Sequence, residues 1–149
     1  MNNKLLNYSF YLLGRRDYSV KELKKKFIEK EYNLEDIEKV LNYLIENKYQ
    51  SEERFARSFI NSKLNSKIGI SKIKSSLIFE KGIDKEIIEN ILLDIVIDET
   101  EQIQKIIENK YRNKNLKDYK EKNKAFRYLV SKGFSFDDIN TAFKNINSE

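Results

Sequence analysis

The chain has 149 residues, 29 of them Lys or Arg and 24 Asp or Glu, and contains no cysteine, histidine, tryptophan or proline. That inventory excludes disulfides, thiol nucleophiles, imidazole bases and the usual zinc centres, and with no Gly-rich phosphate loop it predicts neither a cofactor nor an enzyme. No apolar run is long enough to span a bilayer and no apolar leader opens the chain, so a cytoplasmic protein without a membrane partner is expected.

The missing proline and only four glycines favour helix throughout. Apolar spacings of three and four residues predict helices over roughly Lys4–Arg15, Ser19–Lys30 and Asn33–Lys48. Ser19 and Glu22 form a capping box at the start of the second. Between the second and third lies Glu31-Tyr32-Asn33, and the same sentence returns at 51-residue intervals as Gly82-Ile83-Asp84 and Gly133-Phe134-Ser135. Each is preceded by a lysine (Lys30, Lys81, Lys132) and an apolar residue three before it (Phe27, Ile78, Leu129). Each is followed by Ile37, Ile88 or Ile139 at one shared spacing. A fixed period near 50 residues marks a repeat architecture. It favours a long contact surface over a catalytic pocket.

The recurrent string has a mechanical reading. Gly82 and Gly133 stand just past a helix end, where the backbone turns left-handed. Asn33, Asp84 and Ser135 then offer an oxygen to cap the next helix. Glu31 in the glycine position implies a first turn that is strained or differently closed. In the second repeat, Ile73, Leu77 and Phe79 match Leu23 and Phe27 only with one extra residue before Lys81, a wide turn or a bulged helix end. Ser51 and Asp98 read as helix starts, and Asp118 as another. The expected organisation is three units, 1–50, 51–97 and 98–149, in one continuous domain. The fold class is all-α: three tandem three-helix, helix-turn-helix-like repeats, about nine helices, elongated and slightly curved.

Charge is sorted by place in the repeat. Arg54 to Phe79 holds six basic residues and no acidic one, and Lys105 to Lys132 holds ten basic against Glu108, Asp118 and Glu121. The third helices of the first two repeats are acidic. Most of the aromatic residues, Tyr8, Phe10, Tyr11, Phe55, Phe59, Phe79, Phe126, Tyr128, Phe134 and Phe143, are assigned to the core. Tyr111 and Tyr119, flanked by lysines, are the best candidates for exposed aromatics that meet a partner, although a core role is slightly favoured even for them.

Three strings then become recognisable: Arg15-Arg16-Asp17-Tyr18-Ser19-x-x-Glu22-Leu23, Tyr49-x-Ser51-Glu52-Glu53-Arg54-Phe55-Ala56-Arg57-Ser58-Phe59, and Lys132-Gly133-Phe134-Ser135-Phe136-Asp137-x-Ile139. In this order and at these distances the chain resembles the bacterial regulatory RecX family, from about Leu5 to Ile146. The middle string is the most specific, since a generic helical repeat has no need of it at a unit junction. The chain departs from the family pattern at Ile70 (usually proline), at Glu31 (usually glycine) and at the extra residue before Lys81.

The resemblance implies a non-enzymatic regulator that binds the RecA recombinase and its filament on single-stranded DNA; separately, a monomer is expected. The resemblance also implies restraint of ATPase and strand exchange in recombination, DNA repair and the SOS response. On that basis the basic face supplies the expected contacts: Arg15, Arg16, Arg54, Arg57, Lys63, Lys67, Lys72, Lys74, Arg112 and Arg127. For Arg54 and Arg57 a structural role at the unit junction weighs equally, through Glu52, Glu53 or helix ends. The alternatives are a protein that grips the nucleic-acid backbone directly, and a helical-repeat adaptor for another protein. A weak direct DNA contact is compatible with the leading reading. The acidic third helices argue against one of them entering a groove.

Overall fold

Every helix start but one rests on a side-chain acceptor supplied by the sequence, as the computed structural model shows for residues 1–147. Among the described residues there are nine α-helices, one π-helical turn and no strand. They are α1 (Asn3–Leu13), α2 (Val20–Glu29), α3 (Leu34–Glu46), α4 (Glu52–Asn65), α5 (Ile70–Ser75), α6 (Lys85–Leu93), α7 (Glu99–Lys110), α8 (Tyr119–Ser131) and α9 (Phe136–Asn147). None of them is long and apolar enough to cross a membrane.

Ser19 and Glu22 make both bonds of the capping box, each at 3.1 Å. Asn33, Asp84 and Ser135 accept from the backbone N–H of Asp36, Glu86 and Asp138 at 2.8, 2.9 and 3.1 Å. Ser51 and Asp98 do the same for α4 and α7. Asp118 is the exception: α8 starts there, but its side chain makes no capping bond.

The three turns are built as their residues require. Glu31, Gly82 and Gly133 all have positive φ, at 65°, 70° and 94°. Glu31 is therefore strained rather than differently closed. Exchanging it for glycine relieves roughly 1–2 kcal/mol of left-handed strain and adds about 0.4–1 kcal/mol of unfolded-state entropy. Urea denaturation of Glu31→Gly should show a net gain of roughly half to one kcal/mol. Lys48 and Lys67, which follow α3 and α4, are left-handed as well.

The extra residue of the second repeat is a bulged helix end. Tyr32 and Phe134 donate their backbone N–H five residues back, to Phe27 and Leu129, whereas Ile83 reaches six back to Leu77. The added residue sits in the π-helical turn Ser76–Glu80. Such a turn rotates every side chain beyond it. Leu77, not Ile78, consequently takes the fully buried place held by Phe27 and Leu129, while Ile78 is half-buried. Phe79, expected in the core, is 75 % exposed for the same reason.

The helices gather into two compact units that cut across the repeats. The first holds Met1–Phe59 and Ser76–Asp94. There α3 packs on α1 and α2 around Leu5, Leu12, Tyr18, Leu23, Phe27, Ile37, Val40, Leu41 and Leu44. The second holds Ile60–Ser75 and the chain from Ile95 onward. There α9 packs on α7 and α8 around Ile103, Ile106, Ile107, Ala125, Leu129, Phe134, Ile139, Ala142 and Phe143. Tyr111 belongs to this second cluster, half-buried with its ring 6.4 Å from that of Tyr128, so only Tyr119 is the exposed aromatic expected there. Phe10 and Tyr11 move the other way, from expected core to surface. They lie on α1 away from Leu5 and Leu12, the side chains that face the core.

Both units use the same joint. In the first, the α2 N-terminus donates from Val20 N–H to Glu52 at 2.9 Å, and Lys21 Nζ reaches the Phe79 carbonyl. In the second, the α5 N-terminus donates from Ile70 N–H to Glu99 at 3.3 Å, and Lys72 Nζ reaches the Ser131 carbonyl. Each time a glutamate in the first turn of one helix satisfies an orphan N–H at the start of another. A proline at position 70 could not make that bond.

Candidate partner-binding surface

In the first unit α2 carries Lys21, Lys24, Lys25 and Lys26 among Glu22 and Glu29, and its N-terminal end opens on a cleft of about 410 Å³. The lining is Arg16, Tyr18, Lys21, Glu22, Lys25, Lys26, Glu29, Glu80 and Lys81, five cations against three carboxylates. Glu22 is its hub. Arg16 grips it with two N–H groups at 3.2 Å, Lys81 Nζ lies at 3.1 Å, and the Ser19 N–H at 3.1 Å. Burial alone would raise the Glu22 carboxyl. The bonds from Arg16, Ser19 and Lys81 outweigh it and hold the group below its ordinary value. The Arg16 guanidinium also lies 3.6 Å from the Tyr18 ring centroid, a cation–π contact that fixes its plane.

Glu52 behaves oppositely. Its burial raises the carboxyl, and the bonds from Val20 and Gln50 offset this only in part. Among the described residues no group of carboxylates is placed to hold a metal. The cleft contains no nucleophile matched to a base. What it offers is an arginine and a lysine fixed on Glu22 beside further lysines, a surface for carboxylate or phosphate.

The other arginines of this unit are tied down to different degrees. Arg54 Nε meets Asp17 at 2.9 Å, while its Nη atoms donate to the carbonyls of Lys48 and Tyr49, at the end of α3. Arg57 spans Glu53 and Asp94, at 3.2 and 3.0 Å. The junction role weighed for this pair thus runs through Asp17, Asp94 and the loop carbonyls just past α3, and of the expected carboxylates only Glu53 takes part. Glu52 caps α2 instead. Arg15 leans on Tyr11, donating to its hydroxyl at 3.3 Å.

The second unit holds the remaining candidates. Lys63 lies in the last turn of α4, and Lys67 follows the helix in a left-handed conformation. Lys72 is engaged with Ser131, and Lys74 is half-buried on α5. Arg112, just past α7, and Arg127, on α8, are exposed. Of the ten residues, the cleft includes Arg16 alone. Sequence reading passed over Lys21, Lys25, Lys26 and Lys81, because intervening glutamates dilute the net charge of that stretch.

Comparison with known proteins fits this architecture. Three family models match in chain order: the first three-helix domain of RecX over residues 6–44, the second over 51–92 and the third over 97–143. The regulatory protein RecX of Haemophilus influenzae strain PittEE is 32 % identical over 140 residues, covering 93 % of this chain and 92 % of that protein. That of Serratia proteamaculans is 30 % identical over 165 residues, covering 96 % and 98 %. The crystal structure of RecX from Lactobacillus salivarius superposes with a TM-score of 0.80 at 25 % identity, over 99 % of this chain and 97 % of that one. Three matching domains in one order, curated relatives over nearly the full length and one fold place the chain in the RecX family of regulatory proteins.

Proposed function

We propose that the chain binds the RecA recombinase and its filament on single-stranded DNA, restraining ATP hydrolysis and strand exchange. Family membership carries this reading, and the cleft beside α2 supports it. Arg16 and Lys81 are locked onto Glu22, so a carboxylate or phosphate meets preorganised cations rather than flexible side chains. The ten basic residues named from the sequence are proposed contacts, joined by Lys21, Lys25 and Lys26 of the cleft.

ATP hydrolysis by RecA assembled on single-stranded DNA is the test. Adding the chain should slow it and shorten the filaments, and no effect at micromolar excess would overturn the reading. Binding to naked DNA separates the alternative. A regulator that meets mainly protein should show a shallow salt dependence, whereas each phosphate neutralised on a single strand adds about 0.7 to the log–log slope.

A further inference from the structure

The second unit carries a groove of about 700 Å³ that the electrostatic reading leaves unused. Its lips are apolar. Phe136, at the first position of α9, is 61 % exposed, and Val130, near the end of α8, is 37 % exposed. The Phe136 ring is held against Phe126 at 5.5 Å, so it projects as a fixed edge. Nothing in the folding of α9 requires an aromatic there, since Ser135 already caps the helix and Ile139 enters the core. Lys85 stands at the corresponding place in the second repeat. Val130 follows the core residue Leu129 as Ile28 follows Phe27, and Ile28 is likewise exposed.

Beside these lips are two carboxylates, Glu99 and Asp138, and one lysine, Lys74. Glu99 is half-buried while accepting from Ile70. Burial, with the nearby Asp138 charge, raises its carboxyl above the ordinary value. An incoming cation would favour the charged form and offset both causes. An incoming phosphate would aggravate them.

We infer that this groove docks a segment of the protein partner rather than its nucleic acid. The segment presents an apolar side chain to Val130 and Phe136, next to a lysine or arginine that meets Glu99 and Asp138. The inference rests on the proposed RecA reading and adds the surface and the chemistry of its recognition.

The test measures affinity of the full chain for RecA filaments on single-stranded DNA, with melting temperature as the fold control. Phe136→Asp should weaken binding by roughly tenfold or more, as for an anchor residue. Should that variant fold poorly, Phe136→Ser serves in its place. Asp138→Lys should weaken binding more than Asp137→Lys, which makes the same charge change outside the groove lining. Wild-type affinity in the Phe136 variants would overturn the groove while leaving the RecA reading intact. Tighter binding by Asp138→Lys than by Asp137→Lys would identify the occupant as phosphate and overturn it too. Failure of the unaltered chain to bind filaments would overturn both.

Discussion

Replacing Gly133 with valine should destabilise the chain by about 3 kcal/mol, read as a fall in the urea midpoint at unchanged slope. Two costs combine. At φ 94° the residue lies where a side chain costs roughly 1–2 kcal/mol. A Cβ there would also fall 2.5 Å from Lys72 Cβ and 2.9 Å from the Lys72 nitrogen. Both are atoms at the backbone, so no rotamer change removes the clash, and overpacking of this kind costs typically about 1–3 kcal/mol more. Gly82 is the natural control. Its φ is 70°, but the nearest atom to an added Cβ is Lys21 Cδ at 3.1 Å, far along a flexible side chain. Lys21 Cβ would lie at 3.3 Å, tight but well outside the 2.5 Å overlap at Gly133, so Gly82→Ala should cost mainly the strain, about 1 kcal/mol. A Gly133→Val midpoint equal to the wild type would contradict the close approach at this joint.

The partner in that approach is Gly69, whose N–H donates to the Lys132 carbonyl at 2.7 Å. A Cβ on Gly69 would stand 2.4 Å from the Gly133 carbonyl carbon. The two glycines meet backbone to backbone across 64 positions of sequence, and this is where sequence reading stops. The left-handed turn and its cap are local chemistry, legible from Gly133 and Ser135 alone. That Gly69 must also be glycine follows only from packing. The π-helical turn lies between these cases. A one-residue slip of Leu77 against Phe27 announced it, yet turn and bulge are indistinguishable until the Ile83–Leu77 bond is seen.

The binding surface divides in the same way. Arg54 and Arg57 stand out because their string has no place in a generic repeat. Their anchors do not, since Asp17 and Asp94 each lie 37 residues away. Glu52 and Glu53 look alike in sequence, but one enters the joint and the other faces solvent. For Tyr111 the core reading holds and the exposed one does not, because flanking lysines describe the neighbours of a side chain along the chain. They do not describe the core it packs against in space.

Arg54→Ala should lower stability by about 1–2 kcal/mol, and Arg57→Ala by clearly less. Arg54 satisfies two loop carbonyls just past the end of α3 as well as Asp17, so its loss leaves both carbonyls and a carboxylate without this donor at once. Its side chain is 47 % exposed, so water replaces part of each bond and the effect stays below the sum of three charged hydrogen bonds. Arg57 pairs with two carboxylates that are both mostly exposed, an arrangement screened by solvent. Thermal melting of the two variants checks this ordering, and equal losses would contradict it. The ordering also decides how filament affinities are interpreted. Asp17→Ala breaks the Arg54 clamp without removing a cation. If Arg54→Ala and Asp17→Ala weaken filament binding alike, Arg54 acts by holding the junction. If only Arg54→Ala does, it touches the partner. Arg57 needs no such correction: with its fold contribution small, any large loss of affinity on its removal reports contact. The tandem string therefore contains one residue whose effect must be separated from the fold and one that reads the partner directly.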